Sequence, residues 1–131
     1  MGQVFVDFTV ENYLDGPLGR PARIVGMTRV LMDTGATHLC LPADVAAELG
    51  LEPAQDVWVE TAAGIVLRRL VQGARIRFED RSATVDCIEL PAGAQPLFGA
   101  IPMELLGIEP DLQTRSVRRL SRGPDRSYLM A

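Results

Sequence analysis

One aspartate, set at the end of an apolar run and followed by small residues, concentrates the chemistry of this sequence. In Arg29-Val30-Leu31-Met32-Asp33-Thr34-Gly35-Ala36-Thr37, a strand-like segment delivers Asp33 onto a tight turn. A carboxylate pinned by a rigid strand is suited to general acid–base work. Gly35, without a Cβ, leaves room for another backbone to come close. The plainer alternative is an ordinary strand-end turn, where Asp and Gly are favoured for conformational reasons alone.

Other chemistries fit less well. A phosphoryl-transferring aspartate at a strand end would need a second acid two residues on, and that position is Gly35. A Cys–His nucleophile would have to pair Cys40 or Cys87 with His38, the only histidine. His38 and Cys40 alternate on one short strand and would share a face. A strand cysteine is more often a small hydrophobe, and both cysteines read as buried free thiols; with no C-x-x-C pair, neither a disulfide framework nor a zinc site is indicated.

The elements that must position Asp33 can be read in order. Val4, Val6, Phe8 and Val10 alternate as a strand, residues 12–20 form a turn region around Asp15-Gly16-Pro17, and residues 22–32 return as a strand ending at Asp33. Residues 37–41 form a short strand. Pro42 opens a helix whose face is Val45, Ala46 and Leu49, and Gly50 closes it. Val57-Trp58-Val59 and Ile65-Val66-Leu67 are hairpin arms around a tip of Thr61, Ala62, Ala63 and Gly64. Trp58 could line a pocket or pack on its cross-strand neighbour. Residues 74–78 and 83–90 form the next pair, turning at residues 79–82. Short strands punctuated by Gly and Pro predict a mostly β domain.

One unit runs twice. Asp33-Thr34-Gly35-Ala36 leads to Pro42 and a helix ending Leu49-Gly50-Leu51. Leu97-Phe98-Gly99-Ala100 leads to Pro102 and a helix ending Leu106-Gly107-Ile108. Leu97 and Phe98 stand where Asp33 and Thr34 do, so one copy carries the acid and the other is apolar.

On these residues the chain resembles the retropepsin-like aspartic proteases, as a bacterial-type single-domain member of the group that includes retroviral proteases and each half of pepsin. The resemblance covers about residues 3–120. It rests on Asp33-Thr34-Gly35-Ala36 as the active-site loop and on Leu97-Phe98-Gly99 as the second signature, two hydrophobic residues and a glycine before a short helix. It implies a closed, barrel-like sheet with one or two short helices and a flap hairpin over the substrate, roughly Val57 to Leu67. The tip residues Thr61, Ala62, Ala63 and Gly64 would touch substrate; with one glycine, the tip departs from the glycine-richer retroviral flaps. Thr34 would lock two active-site loops together through its hydroxyl, and Gly35 would admit substrate backbone.

Peptide hydrolysis in this family needs two carboxylates around one water. Two such groups a few ångströms apart cannot both ionise, so they share a proton and titrate as a unit. This chain carries a single Asp-Thr-Gly, so the second acid must come from a second chain. The expectation is a homodimeric aspartic endopeptidase acting on a peptide or protein substrate, with no cofactor or metal. The competing expectation is a dimerisation or peptide-binding module of the same fold without useful activity.

Size and charge set bounds on this reading. At 131 residues and 47% hydrophobic, the chain suits a single domain with a real core. Residues 1–120 are read as that domain and 121–131 as a tail. The net charge of −4 argues against nucleic acid as a partner, and no apolar run approaches the ~20 residues of a membrane span. Nothing in the first residues reads as a secretion signal, and Val6 stands where an N-terminal acylation motif needs Ser or Thr; a cytoplasmic location is expected.

Overall fold

The alternation at the start of the chain is a true strand pattern: Val4, Val6, Phe8 and Val10 are all buried. A computed structural model describes residues 2–121. Along it run β1 (Phe5–Asn12), β2 (Ile24–Met32), β3 (Leu39–Pro42), α1 (Ala43–Leu49), β4 (Glu52–Thr61), β5 (Gly64–Phe78), β6 (Arg81–Leu90), β7 (Leu97–Phe98), α2 (Ala100–Leu106), β8 (Ile108–Asp111) and β9 (Ser116–Arg119). The architecture is mostly β with two short helices, as expected. Most of the C-terminal tail segment, residues 122–131, lies outside the described residues.

The main sheet runs β1-β2-β7-β3-β6-β5-β4, and a further β1–β5 pairing closes six of these strands into a ring. β2–β7 and β3–β6 are parallel; the other pairings are antiparallel. Closure removes most free edges, the usual hazard of a β domain. Inside the ring, Phe98 is fully buried and meets Phe8 edge-to-face, ring centroids 5.0 Å apart. That contact seats the short β7 at the centre of the core.

Both helices end as the Gly spacing predicts. Gly50 and Gly107 each take a left-handed conformation and return their N–H groups to the last turn. The two copies of the repeated unit differ in length. After Asp33 the chain builds β3 before its helix, whereas after Gly99 it enters α2 at once, with Pro102 inside the first turn. The second copy needs no β3 of its own because β7 already pairs with β3.

Several boundaries move from the sequence expectation. The flap arm and the strand at 74–78 are one continuous β5, with a register shift between Val71 and Ala74 where Gly73 has φ +102°. The following turn is shorter than residues 79–82, since β6 already begins at Arg81. Residues 37 and 38 precede β3 and belong to the active-site loop. Asn12 ends β1 as a buried residue, donating its side-chain amide to Leu49 O at 2.9 Å and Gly50 O at 3.2 Å.

The β1–β2 connection is held by a buried carboxylate. Asp15, 1% exposed, accepts hydrogen bonds from Arg20 Nε (3.0 Å), Arg23 N (3.0 Å) and Arg23 Nη2 (2.7 Å). Arg23 is the main reason its pKa lies low, at about 2, despite the opposing effect of burial. A depressed folded-state pKa means the ionised group stabilises the fold above its unfolded pKa, and this is lost as pH falls. Asp15→Asn is therefore expected to lower the melting temperature by several degrees at pH 7. Thermal melts should show the gap to wild type closing as pH drops from about 4 to about 2.

Gly99 is fixed by space rather than by conformation. A Cβ built there would lie 2.7 Å from Ala36 O and 2.8 Å from His38 N, and closer still to His38 O. All three are backbone atoms of the Asp33 loop, so no rotamer change relieves the clash. Gly99→Ala should destabilise the fold by about 3 kcal/mol, the upper end for overpacking. Chemical denaturation measures it, with the Gly64→Ala change, which meets no atom within 4 Å, as a comparison for backbone strain alone.

Candidate active site

Asp33 follows directly on β2, and its place is set from three sides. Its own N–H donates to Phe98 O at 3.0 Å, which continues the β2–β7 pairing by one more bond. The turn closes with Ala36 N donating to Asp33 O at 3.1 Å. The start of α2 then supports the far side of the loop: Ala100 N donates to Ala36 O and Ile101 N to Thr37 O, both at 2.8 Å. The loop therefore spends its backbone polar groups on β7 and α2, as a partly buried turn must.

The carboxylate itself is oriented by Gly35, whose N–H donates to Asp33 Oδ1 at 2.9 Å. A Cβ on Gly35 would stand 3.2 Å from that same oxygen, tighter than ordinary contact. Glycine thus keeps a backbone donor against the carboxylate with no side chain crowding it. Asp33 is partly buried, while Thr34 and Gly35 beside it are exposed. The Thr34 hydroxyl has no hydrogen bond among the described residues.

Asp33 opens into a cleft of about 770 Å³ between its loop and the β4–β5 hairpin. Gly35, Ala36 and Leu97 line it from the loop side, and Thr61 and Ala62 from the hairpin. These sequence-read residues are brought together. Phe98 and Gly99 lie buried behind the loop and act as its support. Ala63 and Gly64 stand at the exposed tip, outside the cleft lining. The tip is stitched by Thr61, whose Oγ1 donates to Gly64 O at 2.8 Å and accepts from Ala63 N at 3.2 Å.

Register decides what the hairpin shows to the cleft. Val57 pairs with Arg68 and Val59 with Val66, and these four are partly buried, whereas Trp58, Ile65 and Leu67 alternate to the other face and are exposed. Trp58 borders the cleft and remains 72% exposed. Cys40, Leu70 and Ile88 form a small apolar cluster, with Val57, Val59, Leu90 and Leu97 packed around it. Cys40, Leu70 and Ile88 as a cleft wall, and Arg68 beside them, are not marked as site residues by any motif in the sequence. The signal was the period-2 alternation of Val66, Arg68 and Leu70, readable only once the strand is known to be continuous.

The nucleophilic cysteine alternative loses ground here. Burial pushes the Cys40 thiol up to about 11, with a further contribution from the negative Asp33, and burial pushes Cys87 higher still. Thiols so shifted are poor nucleophiles at neutral pH. His38 Nδ1 lies 2.7 Å from Thr37 Oγ1, a contact with its sequence neighbour rather than with a thiol.

No curated protein matches the chain by sequence. A family model described as aspartyl protease matches residues 22–109, more than half of the chain, and spans the Asp33 loop, the hairpin and the Leu97-Phe98-Gly99 strand. With the ring-like sheet and the supported Asp-Thr-Gly turn, that match places the chain: it belongs to the aspartyl protease family, with a retropepsin-like fold.

Proposed function

We propose that this protein is an aspartic endopeptidase, in which two Asp33 carboxylates, one from each subunit of a homodimer, activate a water for peptide hydrolysis. The observation that carries this is the setting of Asp33: oriented by a backbone N–H, at the floor of a peptide-sized cleft, beside an exposed loop edge. Leu97, the counterpart of Asp33 in the repeated unit, lines the same cleft without offering a carboxylate. A second copy related by a two-fold axis would supply the missing acid through an isologous contact. The exposed Thr34 hydroxyls stand ready to bond across that contact. Retropepsin-like proteases typically dimerise and bind peptides, which agrees with this arrangement.

In the mechanism, the ionised carboxylate of the pair removes a proton from the water as it attacks the scissile carbonyl. The protonated one donates a hydrogen bond to the oxygen that becomes anionic. Gly35 N–H, held on Asp33 Oδ1, fixes the carboxylate's rotation so that its other oxygen is left for water and substrate. An extended peptide under the hairpin would gain main-chain hydrogen bonds by strand addition. The hairpin above would exclude bulk water from the reacting carbonyl.

Cleavage should therefore depend on Asp33 and peak below neutral pH, because one carboxylate must hold a proton while the other has lost it. Asp33→Asn is expected to reduce kcat/KM by roughly a thousandfold. Incubating both forms with a mixed peptide library across pH 3–8 and reading cleavage by mass spectrometry checks this. Undiminished cleavage by the Asn variant, or full loss of wild-type activity on adding a chelator, would contradict the proposal.

A further inference from the structure

The cleft holds a cation that the hydrolytic chemistry does not use. Arg68 and Arg69 are adjacent on β5, and strand alternation sends them to opposite faces. Arg69 faces outward and pairs with Glu89 at 2.9 Å. Arg68 is partly buried and lines the cleft, across the hairpin from Val57 and two residues before Leu70. Its Nη1 donates to Leu67 O at 3.3 Å. Its Nε is buried and makes no hydrogen bond among the described residues. Among the described residues no carboxylate stands within ion-pair distance of it.

Such a placement is unfavourable for the free protein. A guanidinium brought toward Leu70, Ile88 and Val57 loses water, and an unmet buried donor is more harmful than a missing hydrogen bond. Arg81, the other inward-facing arginine with a buried guanidinium, directs its terminal nitrogens at Leu106 O, Gly107 O and Leu120 O. Arg68 differs because it lines a cavity large enough for a peptide side chain, and its Nη2 makes no hydrogen bond among the described residues. What fits is a planar acceptor with negative charge, and a carboxylate meets the guanidinium fork through two parallel charge-assisted bonds.

We propose that Arg68 is a specificity-determining residue: it selects peptides that place an aspartate or glutamate side chain in the cleft, beside the apolar wall of Val57, Leu70 and Ile88 and away from the Asp33 and Glu60 carboxylates that also line it. This rests on the reading of the cleft as a peptide site, but not on catalysis occurring there. Val57, Val59, Leu70 and Ile88 would take apolar neighbours of that acidic residue. A peptide with an amide at this position would leave the Arg68 charge unmet, and the discrimination arises from that penalty.

The test uses binding to the Asp33→Asn protein, so that no substrate is consumed. Probes are end-blocked apolar peptides carrying a single Glu, or a matched Gln, at each position in turn. At one position Glu should bind about tenfold more tightly than Gln, the effect of one charged hydrogen-bonded pair. Adding Arg68→Gln should bring that ratio close to one, while Arg68→Lys should keep part of it. Circular dichroism on each variant checks that the fold is intact. No Glu preference at any position, or one that survives Arg68→Gln, would overturn the inference; so would a preference confined to unblocked terminal carboxylates. Glu-selective binding alongside a wild-type chain that cleaves none of the peptides would instead sink the proteolytic reading and leave this one standing. Cleavage without acidic preference would do the reverse.

Discussion

Among the described glycines, Gly99 is the one that a neighbouring stretch of backbone crowds. Gly99 passes so near the 36–38 segment that a single added carbon would overlap Ala36 O and both backbone polar atoms of His38. Everything that positions Asp33 follows from that passage. Because β7 can thread there, it pairs with β2 on one side and β3 on the other, and Phe98 O receives the Asp33 N–H. Because α2 starts at once, its first N–H groups reach the loop carbonyls. Phe98, packed on Phe8, keeps the threaded strand in the core.

The result is a carboxylate on a loop that behaves like part of the sheet. Catalytic groups work best when the supporting structure, rather than the side chain itself, fixes their geometry. Here the support is polar backbone beneath and apolar core behind. The front of the loop, at Thr34 and Gly35, is left exposed. Above it the hairpin mixes an apolar inner face with one inward-facing arginine, which gives the cleft both greasy contacts and a charge preference. The outer face is exposed at Trp58, Ile65 and Leu67, so the hairpin has little holding it from outside.

Much of this was legible in the sequence, for identifiable reasons. Asp33-Thr34-Gly35-Ala36 and Leu97-Phe98-Gly99 are short patterns whose residue types are dictated by backbone crowding, and crowding leaves a strong local signature. Val4, Val6, Phe8 and Val10 show the strand period because one face is core. The helices were marked by Pro42 and by the glycines at 50 and 107. What was not legible depended on pairing across long separations. That β5 is one strand follows from its trading partners along its length, from β4 to β6 and β1, with Gly73 taking up the bend. The β8–β9 hairpin carries too little apolar alternation to read. Asn12, Asp15 and Arg81 look like surface residues by type, yet each is buried, Asn12 and Arg81 because carbonyls far along the chain meet them and Asp15 because the guanidinium groups of Arg20 and Arg23 do. The inward face of Arg68 needs the parity of the whole hairpin, which no local window supplies.

On the proposed mechanism, one active site requires an Asp33 from each of two chains. Mixing wild-type protein with Asp33→Asn protein at constant total concentration, under conditions where subunits exchange, tests it directly. If the site is shared, an equal mixture keeps about one quarter of the wild-type rate, because only wild-type pairs carry two acids. A rate that falls in simple proportion to the wild-type fraction, to about one half in the equal mixture, would mean that each chain works alone and that the site is not shared.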